Sequence, residues 1–158
     1  ALLMNLVTLR AGEALFLRAG LLHAYLRGIG VELMASSDNV LRGGLTPKRI
    51  DVPELLRVLD DPGADPVVLR PREIAHGVAS YGPGIDDFEL TLITLDGTST
   101  AIVPRGPAIL LAIDDDVVVR EGSLTVTVRP GHAAFIVPDV DSVSIDGAGR
   151  VFLAEPGV

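Results

Sequence analysis

The sequence predicts a mainly β protein, a sandwich or small barrel of short strands with one short helix, and three observations carry that prediction. From Phe88 to Ala154, runs rich in Val, Ile, Leu and Ala are divided by short Gly, Asp and Pro turns at regular spacing. Between Leu22 and Met34 the side chains alternate, with His23 and Tyr25 on one face and Leu22, Ala24 and Leu26 on the other. Helix signals converge at one place, after Asp51.

In chain order, Val7 to Leu17 is rich in β-formers and is broken by Gly12 into two strand-sized pieces. Past the alternating stretch, Ile29, Val31 and Leu33 share a face opposite Glu32 and Met34. Ser36 to Thr46 has loop composition, with Ser-Ser-Asp-Asn and the pair Gly43-Gly44. A helix is predicted over 52–60: Asp51 caps it, Pro53 fits the first turn, Glu54 stands three residues after the cap, and Leu55, Leu56 and Leu59 form its apolar stripe. It should stop at Asp60-Asp61-Pro62-Gly63. Four of the eleven prolines fall between Pro62 and Pro83, which reads as a surface linker. Strands are then expected at Phe88–Leu95, Ala108–Ile113, Val117–Arg120, Leu124–Arg129, Ala133–Val137 and Val151–Ala154. In Leu124–Arg129, apolar residues alternate with Thr125, Thr127 and Arg129, the pattern of a half-buried antiparallel strand.

Composition narrows the function. The 158 residues are 48% hydrophobic but only 4% aromatic, so the core must be aliphatic. A net charge of -8 argues against nucleic acid or an anionic membrane as partner. Without cysteine there are neither disulfides nor thiolate metal sites, and the reducing cytoplasm is the expected location. No apolar run reaches the roughly 18 residues that span a bilayer. The start lacks a basic leader, and its strand-like apolar segment suggests that the chain was cut from something longer. Lys48 stands as the single lysine beside twelve arginines, a compact ammonium that guanidinium does not imitate, though a general bias toward arginine is the plainer explanation of the count.

The chemistry-bearing groups gather between Phe16 and Lys48: His23, Tyr25, Glu32, Asp38, Arg42 and Lys48. Gly12, Arg18, Gly20 and His23 follow the spacing of the second cupin motif, which has proline where Arg18 stands and asparagine where Arg27 stands. Its glycines would allow a hairpin that presents the imidazole inside a barrel. The stretch HAYLRGIGVELMASSDNVLRGGLTPKRIDVPELL, above all Ser37 to Lys48 (SDNVLRGGLTPK), strongly resembles the type I phosphomannose isomerases, also called mannose-6-phosphate isomerases. The resemblance runs on more weakly to the end of the chain.

That resemblance implies a cupin-type, jelly-roll protein matching the C-terminal part of such an enzyme. Residues 1–60 would complete a catalytic cupin, 61–83 would be a linker, and 84–158 would form a metal-free, degenerate cupin. It implies zinc, with His23 as one ligand and Gln, His and Glu ligands from an N-terminal part of the same enzyme that has no counterpart here. It assigns Arg42 and Asp38 to catalysis and Tyr25, Glu32 and Lys48 to the pocket of a phosphorylated hexose. Aldose–ketose interconversion moves a proton between neighbouring carbons through an enediol. Arg42 would steady the developing oxyanion, and Asp38, Glu32 or a group outside this chain would move the proton.

Each residue also has a plain structural reading. Asp38-Asn39 is ordinary turn chemistry, Arg42 a solvated cation, Tyr25 part of a wall and Glu32 an exposed carboxylate. His76 and His132 lack partners at metal-ligand spacing, and Asp114-Asp115-Asp116 reads as a hairpin tip. No histidine falls between Pro138 and Ser144, where a second cupin would place its ligand. The rival functions are a non-catalytic sugar- or partner-binding cupin, an iron oxygenase of the same fold, and one piece of a split enzyme.

Overall fold

A computed structural model describes residues 4–37, 40–44, 46–60 and 67–157. The chain divides into two compact units, Ala1–Leu69 and Arg70–Val158.

In the first unit, strand β1 (Ala14–Phe16) precedes helix α1 (Val52–Val58), and β2 (Val67–Leu69) returns antiparallel to β1, pairing Leu15 with Val68. The helix forms where its signals stand: the Asp51 carboxylate accepts the Glu54 N–H at 3.1 Å, and Pro53 lies in the first turn. Glu54 and Arg57 then pair across one turn at 2.6 Å. The expected strands at Leu22–Met34 are absent from the ladders, and of Val7–Leu17 only Ala14–Phe16 is paired. Alternation prepares a segment for a sheet but does not supply the neighbour whose N–H and C=O groups it must meet. Among the described residues of this unit none is buried.

The second unit is an open two-sheet sandwich, with no closed barrel among the described residues. Its strands are β3 (Arg72–Ala75), β4 (Val78–Ser80), β5 (Glu89–Asp96), β6 (Thr100–Ile102), β7 (Ala108–Ala112), β8 (Val117–Glu121), β9 (Leu124–Val128), β10 (Ala133–Ile136), β11 (Val143–Asp146) and β12 (Ala148–Glu155). One sheet runs β10-β7-β12-β5-β4-β3 and the other β6-β11-β8-β9, with every pairing antiparallel. β12 is central, paired with β5 over its whole length. Alternate residues point inward, so Ile93, Leu110, Val117, Val143, Ile145 and Val151 are all essentially inaccessible to water. The core is aliphatic, and its branched side chains pack together between the two sheets.

The six strands expected after Phe88 all form, within a few residues at each end. β6 and β11 were not anticipated, and β2, β3 and β4 lie inside the proline-rich stretch read as a linker. β9 departs from its expected burial: only Val128 is buried, because the strand is an outer edge of its sheet.

One polar cluster sits within the sandwich. Glu89 and Glu155 face each other directly across β5 and β12, where two like charges repel. Arg105 bridges them, with guanidinium contacts of 2.7 Å to Glu89 and 3.3 Å to Glu155, and its backbone N–H donates to Glu155 at 2.9 Å. The Ser80 hydroxyl donates to Glu89 and accepts from the Gly82 N–H. The Ser80 hydrogen bond, then Arg105, hold the Glu89 carboxyl below its ordinary pKa against the opposing effect of burial.

Candidate functional site

The first unit carries the predicted site, and its local framework begins with glycine. Gly20 takes a positive φ of 86°, and a Cβ there would stand 2.9 Å from the Asp60 Cβ and 3.0 Å from the Val58 carbonyl oxygen. Only a residue without a side chain fits both demands. The Asp60 N–H donates to the Gly20 carbonyl at 3.1 Å, and the Arg18 guanidinium pairs with the Asp60 carboxylate. The end of α1 is thereby tied to the turn that precedes His23. Everything from His23 to Lys48 lies within the excursion that these contacts close.

Along that excursion, His23 is exposed, and its Nδ1 lies 3.3 Å from the Leu21 carbonyl oxygen. The tautomer that donates Nδ1–H to that carbonyl leaves the Nε2 lone pair available to a ligand. The Tyr25 ring meets the His23 ring edge to face, with centroids 5.8 Å apart. The Tyr25 hydroxyl donates to the Glu32 carboxylate at 2.6 Å, closing the bend between them. Loss of water around the hydroxyl, then the Glu32 hydrogen bond and charge, push Tyr25 up to about 12.

Arg42 reaches this neighbourhood through Gly43. A Cβ at Gly43 would fall 2.7 Å from the Leu22 Cδ2, so the loop backbone lies against the residue before His23. Arg42 and Lys48 are both exposed, and the Lys48 N–H donates to the Thr46 hydroxyl at 3.2 Å in a short side-chain turn. Asp38 lies outside the described residues. Thus His23, Tyr25 and Glu32 form one connected set, and the segment bearing Arg42 lies beside it. The Arg18–Asp60 tie was not anticipated; the signal for it was the arginine at the motif's proline position.

Fixed positive charge, an ordered phenol and a carboxylate can hold a polyhydroxy substrate and its anionic group. The residues present do not by themselves fit a zinc site: among those described, no three His, Asp or Glu come together as a metal would require. Nor is any helix, among the described residues, long and apolar enough to cross a membrane.

Comparison with known proteins shows what the chain is similar to. The family described as phosphomannose isomerase type I C-terminal matches residues 81–128. Mannose-6-phosphate isomerase of Escherichia coli K12 is 40% identical over 151 residues, which cover 95% of this chain and 39% of that protein. The chain matches the C-terminal part of the type I phosphomannose isomerase family. Mannose-6-phosphate isomerase 2 of Arabidopsis thaliana is 38% identical over 143 residues, covering 89% of the chain and 32% of that protein. Among solved structures, the apo form of mannose 6-phosphate isomerase from Salmonella typhimurium gives a TM-score of 0.64 at 33% identity, covering 79% of this chain and 32% of the other. A variant of phosphomannose isomerase from the same organism gives a TM-score of 0.66 at 32% identity, over 78% and 32% of the two chains. The mainly β architecture is thus of the cupin type that these phosphomannose isomerase structures share. The chain spans about two-fifths of the length of the E. coli relative.

Proposed function

We propose that this chain supplies the C-terminal part of a cytoplasmic, zinc-dependent isomerase that interconverts mannose 6-phosphate and fructose 6-phosphate. The observation that carries this reading is the connected set His23, Tyr25 and Glu32 with the Arg42 segment against Leu22, in a chain 40% identical to mannose-6-phosphate isomerase of E. coli. In it, Arg42 and Lys48 hold negative charge on the sugar phosphate and its enediolate, and Tyr25 and Glu32 orient hydroxyls. Asp38 or Glu32, or a carboxylate from the N-terminal part, moves the proton. His23 offers Nε2 to zinc, and the other ligands come from that N-terminal part. The exposure of His23 favours a second reading for the chain on its own, a non-catalytic sugar- or partner-binding module.

Combining the 158-residue chain with a fragment bearing the first three-fifths of the Salmonella typhimurium enzyme tests this. Isomerase turnover that requires both pieces and is lost with Arg42→Ala is expected. A mixture that associates but never turns over would sink the catalytic reading and leave the binding module.

A further inference from the structure

Three connections meet at one end of the second unit's sandwich: residues 81–88 ahead of β5, residues 103–107 between β6 and β7, and Pro156-Gly157 after β12. The Gly157 N–H donates to the Asp86 carbonyl at 3.1 Å, and a Cβ at Gly157 would collide with the Ile85 carbonyl oxygen. Pro156 lies against Gly106, its Cγ 3.5 Å from where a Cβ there would stand. Away from this end the strands are joined by continuous ladders and an aliphatic core. Here the ties are polar and converge on Arg105. Of the four carboxylate oxygens of Glu89 and Glu155, three are met by Arg105, through two guanidinium nitrogens and its backbone N–H, and the fourth by the Ser80 hydroxyl. The Glu155 side chain is 7% exposed and that of Glu89 14%, so little water reaches either charge.

We infer that Arg105 is a latch on the stretch Glu155–Gly157, and that this end of the sandwich opens as one local unit, ahead of the core, when Glu89 and Glu155 lose their charge. One guanidinium joins the start of β5, the end of β12 and the connection that carries Arg105, so its release loosens all three together. Uncharged carboxyls hold a guanidinium far less firmly, which leaves the stretch to the Gly157–Asp86 hydrogen bond and the Pro156 contact. The groups that face the two carboxylates are the Ser80 hydroxyl from β4, Arg105 from its connection and the charge of Arg72 from β3. The Ser80 hydrogen bond first, then Arg105 and Arg72, keep Glu89 ionised below the ordinary glutamate range against the opposing effect of burial. The latch is therefore closed at neutral pH and is lost as the pH falls through that depressed value. A stretch fastened by a few polar contacts opens at lower free energy than strands laddered on both sides.

Amide hydrogen exchange of the full chain, read by NMR as protection factors between about pH 6 and about pH 3, tests this. The Gly157 amide should lose protection on acidification while β5, β7 and β12 keep theirs. At about pH 6, Arg105→Ala should speed Gly157 exchange about tenfold, and Glu89→Gln combined with Glu155→Gln should do the same and remove the pH dependence. Arg105→Lys, one ammonium in place of the fork, should give an intermediate rate. Retained protection in the core strands shows each variant to be folded. A Gly157 amide that opens only together with β5, β7 and β12 in the unaltered chain, or one whose exchange is unchanged by Arg105→Ala or by the glutamine pair, would overturn the inference.

Discussion

At the scale of single residues, two hydrogen-bonded groups make predictions that differ in sign. Tyr25 titrates above its ordinary value because its hydroxyl has lost water and donates to Glu32. Its protonated form is the favoured one, so that contribution is intact below about pH 10 and fades as the pH rises toward about 12. Replacing Glu32 with glutamine should lower the phenol's alkaline midpoint, read by ultraviolet absorbance, but not fully to 10, since desolvation is the larger cause. An unmoved midpoint would show that the pair does not persist in solution. Glu89 behaves oppositely: its carboxyl is held below the ordinary range, so the stabilisation is present at neutral pH and is lost on acidification through the depressed pKa. Ser80→Ala should therefore reduce stability at pH 7 and flatten its decline between about pH 5 and pH 3 in urea titrations. Arg105→Ala should cost about 2 kcal/mol, because it leaves Glu89 and Glu155 opposed across the sheet, an amount reduced from the fully buried case by the partial exposure of Arg105.

At the scale of elements, legibility followed local chemistry. The helix at Val52–Val58 was readable because Asp51, Pro53 and Glu54 announce their roles within four residues. Strands such as β7 and β8 were readable from their dense β-branched and aliphatic runs between turns. β11, Val-Ser-Ile-Asp, was not, since four alternating residues are too few to separate a strand from a loop until β8 and β6 take their places on either side. The Leu22–Met34 alternation was read as strand and stands unladdered here, for the converse reason that a partner is a tertiary fact. Around the candidate site, the alternation put His23 and Tyr25 on one face, as their ring contact requires, whereas the Arg18–Asp60 tie was not legible, because it joins positions 42 residues apart. Arg18→Asp should loosen the His23 turn and speed amide exchange at Asp60, whose N–H meets the Gly20 carbonyl. The swap Arg18→Asp with Asp60→Arg should recover protection, and equal exchange in all three proteins would show the ion pair to be idle.

At the scale of the whole molecule, the two units differ in kind. The second has a continuous aliphatic core, and the first has no buried residue among those described. With one candidate imidazole ligand and no group of three or more His, Asp or Glu that could hold a metal among the described residues, the chain alone should retain no stoichiometric zinc after dialysis, as elemental analysis would report. A tightly held equivalent would mean that the chain folds its own complete ligand set. The same difference explains why a sequence of 48% hydrophobic residues can leave Leu6, Leu26, Ile29 and Leu56 more than two-thirds exposed. Their apolar surface lies open to solvent in the first unit.

The absence of shielding in the first unit has a consequence for the chain's survival in the cell. Arg10, Arg18, Arg27, Arg42, Arg49 and Arg57 all stand exposed in a segment without a core, so a trypsin-like protease would meet a string of open cleavage points there. Limited digestion should trim the molecule rapidly to a resistant product starting at Glu73, because the Arg70–Pro71 bond resists trypsin and Arg72 is the next site, a product visible by mass spectrometry in which β5, β7 and β12 persist. The half that carries the candidate site is the half that is degraded first.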